Sequence, residues 1–273
     1  MQSEALKIMI IGVGAIALLL GGFIAYIAHL KHVAPPNNDP SLDVAGPDAD
    51  KRFARLDGRA NLLFLLLTVV LGALAYLVIY AIDVLRVKLL PAAIMSFPTA
   101  HGFLALIAGF AGMGLASMVF GRVIRSRWGD DARWYLAYAS VRRYGCDYER
   151  LCHGLGVTLV LMMGLALPLA LNWYVQVRDK EFVVHPLFAL HERVYAYSDI
   201  QSIETAGKFI APNGRVRHER DFVIHFKDGT RWVAANLPSG DFYDRQRVTE
   251  LLARRAGVGI TEVPIFQTSD LYD

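Results

Sequence analysis

The segment FVIHFKDGTRW, residues 222–232, alternates apolar and polar side chains on either side of Asp228-Gly229. Alternation with a period of two is typical of a half-buried β-strand, and Asp-Gly between two such runs predicts a β-hairpin with a two-residue turn. In this register His225 pairs with Trp232 on one face. The other face then holds the expected core residues Phe222, Ile224, Phe226, Val233 and Ala235.

The residues on both sides of this hairpin predict more strands and one closing helix. WYVQVRD and EFVVHP (173–186) indicate a hairpin around Asp179-Lys180, RVYAYSDIQSIET (193–205) further strand, and PNGR (212–215) another turn. GDFYDRQRVTELLARRAG (240–257) predicts a helix that Asp241 caps and Gly257 ends. We therefore predict about six strands and one helix over residues 173–257, as a small β-barrel or sandwich, and a tail at 258–273.

The preceding two-thirds of the chain has the composition of a membrane protein. The chain has 273 residues, 55% hydrophobic and 19% charged, and four stretches contain no Asp, Glu, Lys or Arg. A helix needs about 20 apolar residues to cross a bilayer, so we predict a bundle of four transmembrane helices at about 8–30, 60–82, 98–121 and 154–175. Pro91 and Pro98 interrupt the third stretch, which places residues 89–97 at the membrane interface.

The loops differ in composition. Residues 34–50 combine Pro, Asn, Asp and Gly and predict a flexible linker. Residues 130–144 predict a helix that lies in the headgroup region or packs on the protein's own surface. The candidate interfacial anchors are the basic and aromatic residues Arg122, Arg125, Arg127, Trp128, Trp134, Arg142 and Arg143.

Positive charge is unequal on the two sides of the predicted bundle. Loops one and three carry twelve Lys and Arg, and the other side carries five. Because Lys and Arg resist translocation, loops one and three are expected in the cytoplasm and both termini on the periplasmic side. Cys146 and Cys152 lie in the third loop, where a reducing cytosol keeps thiols reduced.

The spans contain few polar groups and many small ones. A transport pathway needs polar or ionisable partners at mid-membrane, and the predicted spans supply almost none. Small residues at four-residue spacing allow helix backbones to approach closely, either within the bundle or between copies. The candidates for such packing are Ala105, Gly109, Gly112 and Ala116.

The order YVQVRDKEFVVHP, YAYSDIQSIE, FVIHFKDGTRW and then a helix resembles the pleckstrin-homology-like (PH-like) domains at the ends of many bacterial membrane proteins. The resemblance covers about residues 173–257. It implies a barrel capped by one helix, a binding role, no enzymatic activity and a bacterial inner (plasma) membrane. Many such domains face the cytoplasm, which conflicts with the orientation that the positive charges favour.

Candidate contact residues for a partner or lipid lie in the predicted sheet region. Phosphoinositide-binding relatives gather basic residues between the first two strands, where this chain has only Arg178 and Lys180. Residues 178–273 contain 13 basic and 14 acidic residues, so no strong field for anions is expected. The full candidate set is Arg178, Lys180, Arg215, Arg217, His225 and Trp232.

No motif of an enzyme, a phosphate-binding loop or a metal site occurs in the sequence. We therefore expect a non-catalytic multi-pass membrane protein without a cofactor, whose membrane-apposed terminal domain binds a protein partner or regulates a membrane complex. Its expected partners are the lipid bilayer and a protein or a second copy, and no nucleic acid. Transport or lipid handling through the bundle, and an immunity or defence role, remain the alternatives.

Overall fold

The computed structural model describes residues 18–19, 21–30, 48–187, 189, 191–211, 213–238 and 241–267. The chain divides into two compact units. Of the described residues, those up to Leu85 and Gly102–Pro168 form the helical unit, and Arg86–His101 with those from Leu169 onward form the sheet unit. The chain passes between the units three times, and each crossing lies inside a helix.

The described residues form six α-helices and one π-helix. The α-helices are α1 (Gly21–Leu30), α2 (Ala49–Leu89), α3 (His101–Trp128), α4 (Asp130–Tyr138), α5 (Tyr148–Leu171) and α6 (Phe242–Ala256), with the π-helix at Ala139–Tyr144. Three of them, α2, α3 and α5, are long and apolar enough to cross a membrane. Residues 8–17 and 20 of the predicted first span and residues 34–47 of the predicted linker lie outside the described residues. Helix α2 begins about three turns before the predicted span.

Glycines set the distance between the apolar helices of the helical unit. A Cβ atom on Gly112 would overlap the Gly72 backbone in α2. One on Gly114 would lie 2.9 Å from the carbonyl oxygen of Gly156 in α5. Ala108 and Ala116 are buried, whereas the predicted pair Ala105 and Gly109 is exposed. Close packing within the chain therefore runs through Gly112 and Ala116.

An aromatic cluster joins the first turns of α2 to α4. Phe53 stacks on Tyr135 and Tyr138, with ring centroids 5.3 and 4.4 Å apart. Trp134 is buried, and the guanidinium of Arg52 lies 4.5 Å from the centroid of its ring. Helix α4 thus packs on the protein's own surface, and the prediction that Trp134 is an interfacial anchor was wrong because its ring fills this cluster.

The sheet unit contains, within its described residues, two four-stranded sheets and a short hairpin. Sheet A has the order β1 (Met95–Phe97), β2 (Tyr174–Val177), β3 (Glu181–His185) and β4 (Arg193–Ala196), all antiparallel. Sheet B consists of β5 (Ile200–Ala206), β8 (Asp221–Phe226), β9 (Arg231–Val233) and β10 (Ile260–Glu262), in the order β10-β5-β8-β9. The hairpin consists of β6 (Phe209–Ile210) and β7 (Val216–Arg217).

Both sheets and α6 contribute to one apolar core, which includes Phe182, Ile203, Ile224 and Leu252. The predicted helix ends are present. The Asp241 side chain accepts a hydrogen bond from the Asp244 amide at 2.9 Å, and Gly257 ends α6 with a positive φ. The predicted hairpin at Asp179-Lys180 is also present, since Val177 pairs with Phe182.

Strand β1 was not expected from the sequence. Residues 89–97 were predicted to lie at the membrane interface, but Met95, Ser96 and Phe97 pair with Val177, Gln176 and Val175. Phe97 is buried in the core. The Thr99 hydroxyl lies at the carbonyl oxygens of Ala170 and Trp173, where α5 ends. The connection between α2 and α3 is therefore part of the sheet unit.

The predicted hairpin at residues 222–232 is present, but its register is shifted by one residue on β9 from the predicted one. The Phe226 amide donates to the Thr230 carbonyl, and the Phe226 carbonyl accepts from the Gly229 amide, so the loop contains residues 227–229. Ile224 consequently pairs with Trp232, and His225 with Arg231. Trp232 is therefore buried in the core, Val233 faces the opposite side of the sheet, and Ala235 is exposed.

The residues predicted as a tail also belong to the fold as far as the structure describes them. Strand β10 pairs in parallel with β5. Phe266 is buried against Ala206, Val223 and Val233 on the far side of sheet B. This second small core explains why Val233 is buried although it does not face the main core.

Replacing Gly112 with alanine should destabilise the helical unit, because the new methyl group would overlap the Gly72 backbone. Overpacking of this kind costs about 1–3 kcal/mol, which we expect to lower the Tm by several degrees in detergent. Gly109→Ala is the matched control, since a Cβ there meets no atom within 4 Å. Equal Tm values for the two variants would contradict the close contact of α2 with α3.

Candidate functional site

The outer face of sheet A, which points away from the main core, carries a connected set of polar side chains. Gln176 is almost fully buried, and His185, like Tyr174, is 7% exposed. Buried polar groups require partners, and most of these come from within the set; the His185 ring instead has Nδ1 3.3 Å from the Pro186 carbonyl oxygen. The set, called here the outer-face network, consists of Arg86, Ser96, Tyr174, Gln176, Arg178, Glu181, His185 and Glu192.

Arg178 is the hub of the network. Its guanidinium donates hydrogen bonds to Glu181 at 2.7 Å and to the Gln176 side chain at 3.1 Å. It also lies 3.7 Å from the carboxylate of Glu192. Gln176 in turn donates to the Ser96 hydroxyl at 3.4 Å, which connects β2 to β1. With 14% of its side chain exposed and two carboxylates beside it, Arg178 is not open to an anionic ligand, in line with the weak anion field expected from the charge balance.

Tyr174 and His185 face each other across β2 and β3. Their rings stack with centroids 5.4 Å apart, and the Arg86 guanidinium lies 5.6 Å from the Tyr174 ring. Burial and the hydrogen bond that Tyr174 donates to Glu192 at 2.7 Å raise the pKa of Tyr174 to about 12. Burial lowers the pKa of His185, so its ring is neutral at pH 7.

The structure does not bring the six predicted contact residues together. Lys180, Arg215 and Arg217 are exposed. Trp232 is buried in the core and pairs with Ile224, so the predicted pairing of His225 with Trp232 on one face was wrong. His225 is half-buried, with Nε2 3.4 Å from a Glu204 carboxylate oxygen. Within this set, open positive charge is therefore limited to the first three residues.

Most of the predicted interfacial anchors lie on the surface of the helical unit. Trp128 is half-buried against the aromatic cluster. Arg125 forms an ion pair with Glu149. Contact of the anchors with lipid remains a prediction. The exposed anchors are Arg122, Arg125, Arg127, Arg142 and Arg143.

The outermost strand of sheet A is an open feature that the sequence did not indicate. Strand β4 pairs with β3 on one side, and no described strand pairs with its other side. Val194, in the middle of β4, is 49% exposed. An open strand edge offers unpaired backbone donors and acceptors that a partner strand can use. The alternation of RVYA (193–196) predicts this strand from the sequence. Its position at the edge of sheet A could not be predicted, because that position depends on how all four strands of the sheet pair.

Metal-binding clusters and disulfides do not occur within the described part of the chain. No group of three or more His, Cys, Asp or Glu side chains there is placed to hold a metal ion. Cys146 is buried and Cys152 half-buried, and the two are not joined by a disulfide. The ionisable groups that the sheet unit does gather are those of the outer-face network.

Comparison with known proteins adds no constraint on the function. The chain fits no family model and is significantly similar to no curated protein and to no solved structure. The function therefore has to be argued from the chain's own residues.

The outer-face network predicts a pH-dependent stability. Burial lowers the pKa of His185 below 6.5, so around pH 6 the folded chain binds fewer protons than the unfolded chain. The stabilisation by neutral His185 is fully present above the pKa that this histidine has in the unfolded chain. It is lost as the pH falls through the lower pKa that His185 has in the folded chain. We expect the Tm of the full chain in detergent to fall between about pH 7.5 and 5.5, and this fall to be smaller in His185→Gln.

His191→Gln is the control for this measurement, because His191 is exposed in the same connection between β3 and β4. Burial raises the pKa of Asp221 above its ordinary value of 3.8, so this residue acts with the opposite sign. Asp221 is present in both variants, and its effect cancels when their pH profiles are compared. A pH profile that His191→Gln changes as much as His185→Gln would refute the assignment.

Proposed function

We propose that this chain is a non-catalytic multi-pass protein of a bacterial inner membrane, and that its sheet unit is a PH-like module that binds a protein partner. The observation that best supports the proposal is the open edge of β4, with the exposed apolar side chain of Val194 at its centre. In strand addition, main-chain hydrogen bonds supply affinity and side chains beside the edge supply specificity.

The internal neutralisation of the first hairpin also favours a protein ligand over a lipid phosphate for this unit. Arg178 is held by Glu181, Gln176 and Glu192. Lys180 is the open basic residue of the β2–β3 turn, with Asp179 beside it. One exposed lysine next to an aspartate creates little field for an anion.

The connections between the units favour recognition of a membrane-bound partner. All three chain crossings lie inside α2, α3 and α5, so no loop separates the sheet unit from the apolar helices. In our proposal the module therefore stays near the bilayer, where a second membrane protein is present at high effective concentration.

Val194→Lys should weaken binding of the partner. A lysine on an exposed edge strand opposes strand addition. We expect the affinity for the partner to fall about tenfold, which corresponds to a loss of about 1.4 kcal/mol in binding free energy. Val216→Lys is the matched control, because Val216 is also 49% exposed but lies on the β6–β7 hairpin.

The measurement uses a photoreactive amino acid at position 180 to crosslink the partner in cells, followed by co-purification. Three full-length chains are compared: the unchanged chain, Val194→Lys and Val216→Lys. We expect one discrete protein whose recovery falls about tenfold in Val194→Lys only, in line with the affinity loss above. A crosslink to a second copy of this chain would identify the partner as a homo-oligomer. Equal recovery from all three chains would refute binding at the β4 edge.

The proposed topology places the α2–α3 connection and the sheet unit on one side, the periplasm, and the connection between α3 and α5 on the other. The variants Ala92→Cys, Lys180→Cys and Arg142→Cys, all at exposed positions, test it in a background without Cys146 and Cys152. In intact spheroplasts an impermeant maleimide should label positions 92 and 180 but not position 142. The reverse pattern would move the module to the cytoplasm, and different labelling of positions 92 and 180 would contradict the topology.

A further inference from the structure

The helical unit contains a polar pocket that the proposed function does not use. It has a volume of about 320 Å³ and lies between α1, the last third of α3 and the first turns of α5. This volume is at the lower end of the range of small-ligand sites. The residues that determine its chemistry are Tyr26, Arg122, Arg125, Asp147, Glu149 and His153.

Two glycines make room for the pocket's walls. A Cβ atom on Gly121 would overlap the Glu149 carboxylate, and one on Gly154 would overlap the Tyr26 ring. A larger residue at either position would displace the neighbouring side chain, Glu149 or Tyr26, from its place in the pocket wall. The Tyr26 hydroxyl donates a hydrogen bond to the Arg150 carbonyl at 3.0 Å, which fixes α1 to the start of α5.

The acidic groups of the pocket already have partners. Asp147 accepts hydrogen bonds from the amides of Glu149 and Arg150 at 3.0 and 3.1 Å, and its carboxylate lies 3.4 Å from the Arg150 guanidinium. Glu149 forms an ion pair with Arg125. Each carboxylate is therefore balanced by one arginine.

Two basic residues of the pocket lining, Arg122 and His153, have no such acidic partner among the described residues. Both are exposed at the pocket, and within the described ranges neither forms an ion pair or a hydrogen bond. The pocket thus has an excess of at least one positive charge, carried by the guanidinium fork of Arg122 on α3, and the His153 imidazole on α5 lines it as well. Arginine forks match phosphate oxygens in geometry and charge.

The sequence places this pocket where an apolar span ends. In α3, residues 101–121 contain no Asp, Glu, Lys or Arg and are followed by Arg122, Arg125 and Arg127; in α5 the corresponding run begins at Leu151, directly after Arg150. Lipid phosphates lie at this level of a membrane, and basic pockets between transmembrane helices bind anionic headgroups.

We propose that this pocket binds a phosphate group, with Arg122 as its principal ligand and His153 as a second donor, and that the group belongs to the headgroup of an anionic phospholipid. A cation does not fit the site, because both carboxylates are paired and the unpaired charge is positive. A soluble phosphate compound would use the same chemistry, so the experiment must separate the two sources.

The test measures binding of dioctanoyl phosphatidylglycerol to the purified full chain in a neutral detergent, beside dioctanoyl phosphatidylcholine, glycerol phosphate and inorganic phosphate. We expect phosphatidylglycerol to bind at least about tenfold more tightly than the other three, because it combines the phosphate with acyl chains and lacks the choline cation. Arg122→Gln should weaken its binding about tenfold, and Arg122→Lys, which keeps the charge but not the fork, should lie in between.

Arg127→Gln is the matched control, because Arg127 is an exposed arginine on the same end of α3 that does not line the pocket. It should change affinity less than about twofold, as expected of a surface charge outside the site. Tight binding of glycerol phosphate or inorganic phosphate, lost in Arg122→Gln, would support the phosphate site and assign it to a soluble ligand. Equal losses in Arg122→Gln and Arg127→Gln, or equal binding of the two lipids, would overturn the proposal.

Discussion

The pairing of β1 with β2 is the contact on which the sheet unit depends. It gives the outer edge of β2 hydrogen-bond partners that no other described strand supplies, and it places Phe97 in the main core. A three-residue strand is too short to be stable by itself, so its order comes from the sheet and from the Thr99 hydroxyl at the end of α5. The connection between two apolar helices thereby becomes a structural part of the terminal module.

The two units differ in whether their central arginine is neutralised by neighbouring carboxylates. This difference underlies the separate roles proposed for the two units. In the sheet unit, Arg178 is enclosed by two carboxylates and an amide, which leaves little charge for a ligand. In the helical unit, Glu149 is matched by Arg125, and Arg122 remains in excess. The sequence predicted both of these helical arginines as lipid anchors, because composition identifies arginines but only tertiary structure shows which of them lies beside a carboxylate.

Local sequence signals were sufficient for the two ends of α6 but not for the turn of the 222–232 hairpin. The Asp241 cap and the Gly257 end of α6 each depend on a few neighbouring residues, and the sequence predicted both. The predicted register of the 222–232 hairpin was wrong because the same sequence is compatible with a two-residue turn and with a three-residue loop that has glycine at positive φ. The longer loop shifts the pairing by one residue and places Trp232 in the core. The sequence did not predict strand β1 because the partner of β1 lies about 80 positions later in the chain. The burial of Trp134 by the first turns of α2 was missed for the same reason, since the two segments are far apart in sequence.

The origin of β1 has a consequence for biosynthesis. Ser96 is synthesised long before Gln176, with which it pairs, so the backbone groups of the α2–α3 connection have no partners in sheet A until the next two apolar helices have been made. Closure of sheet A can occur only when both of those helices have been placed. Completion of the module therefore depends on segments that lie on both sides of α3 and α5 in the chain, and without β1 the outer edge of β2 would lack its hydrogen-bond partners.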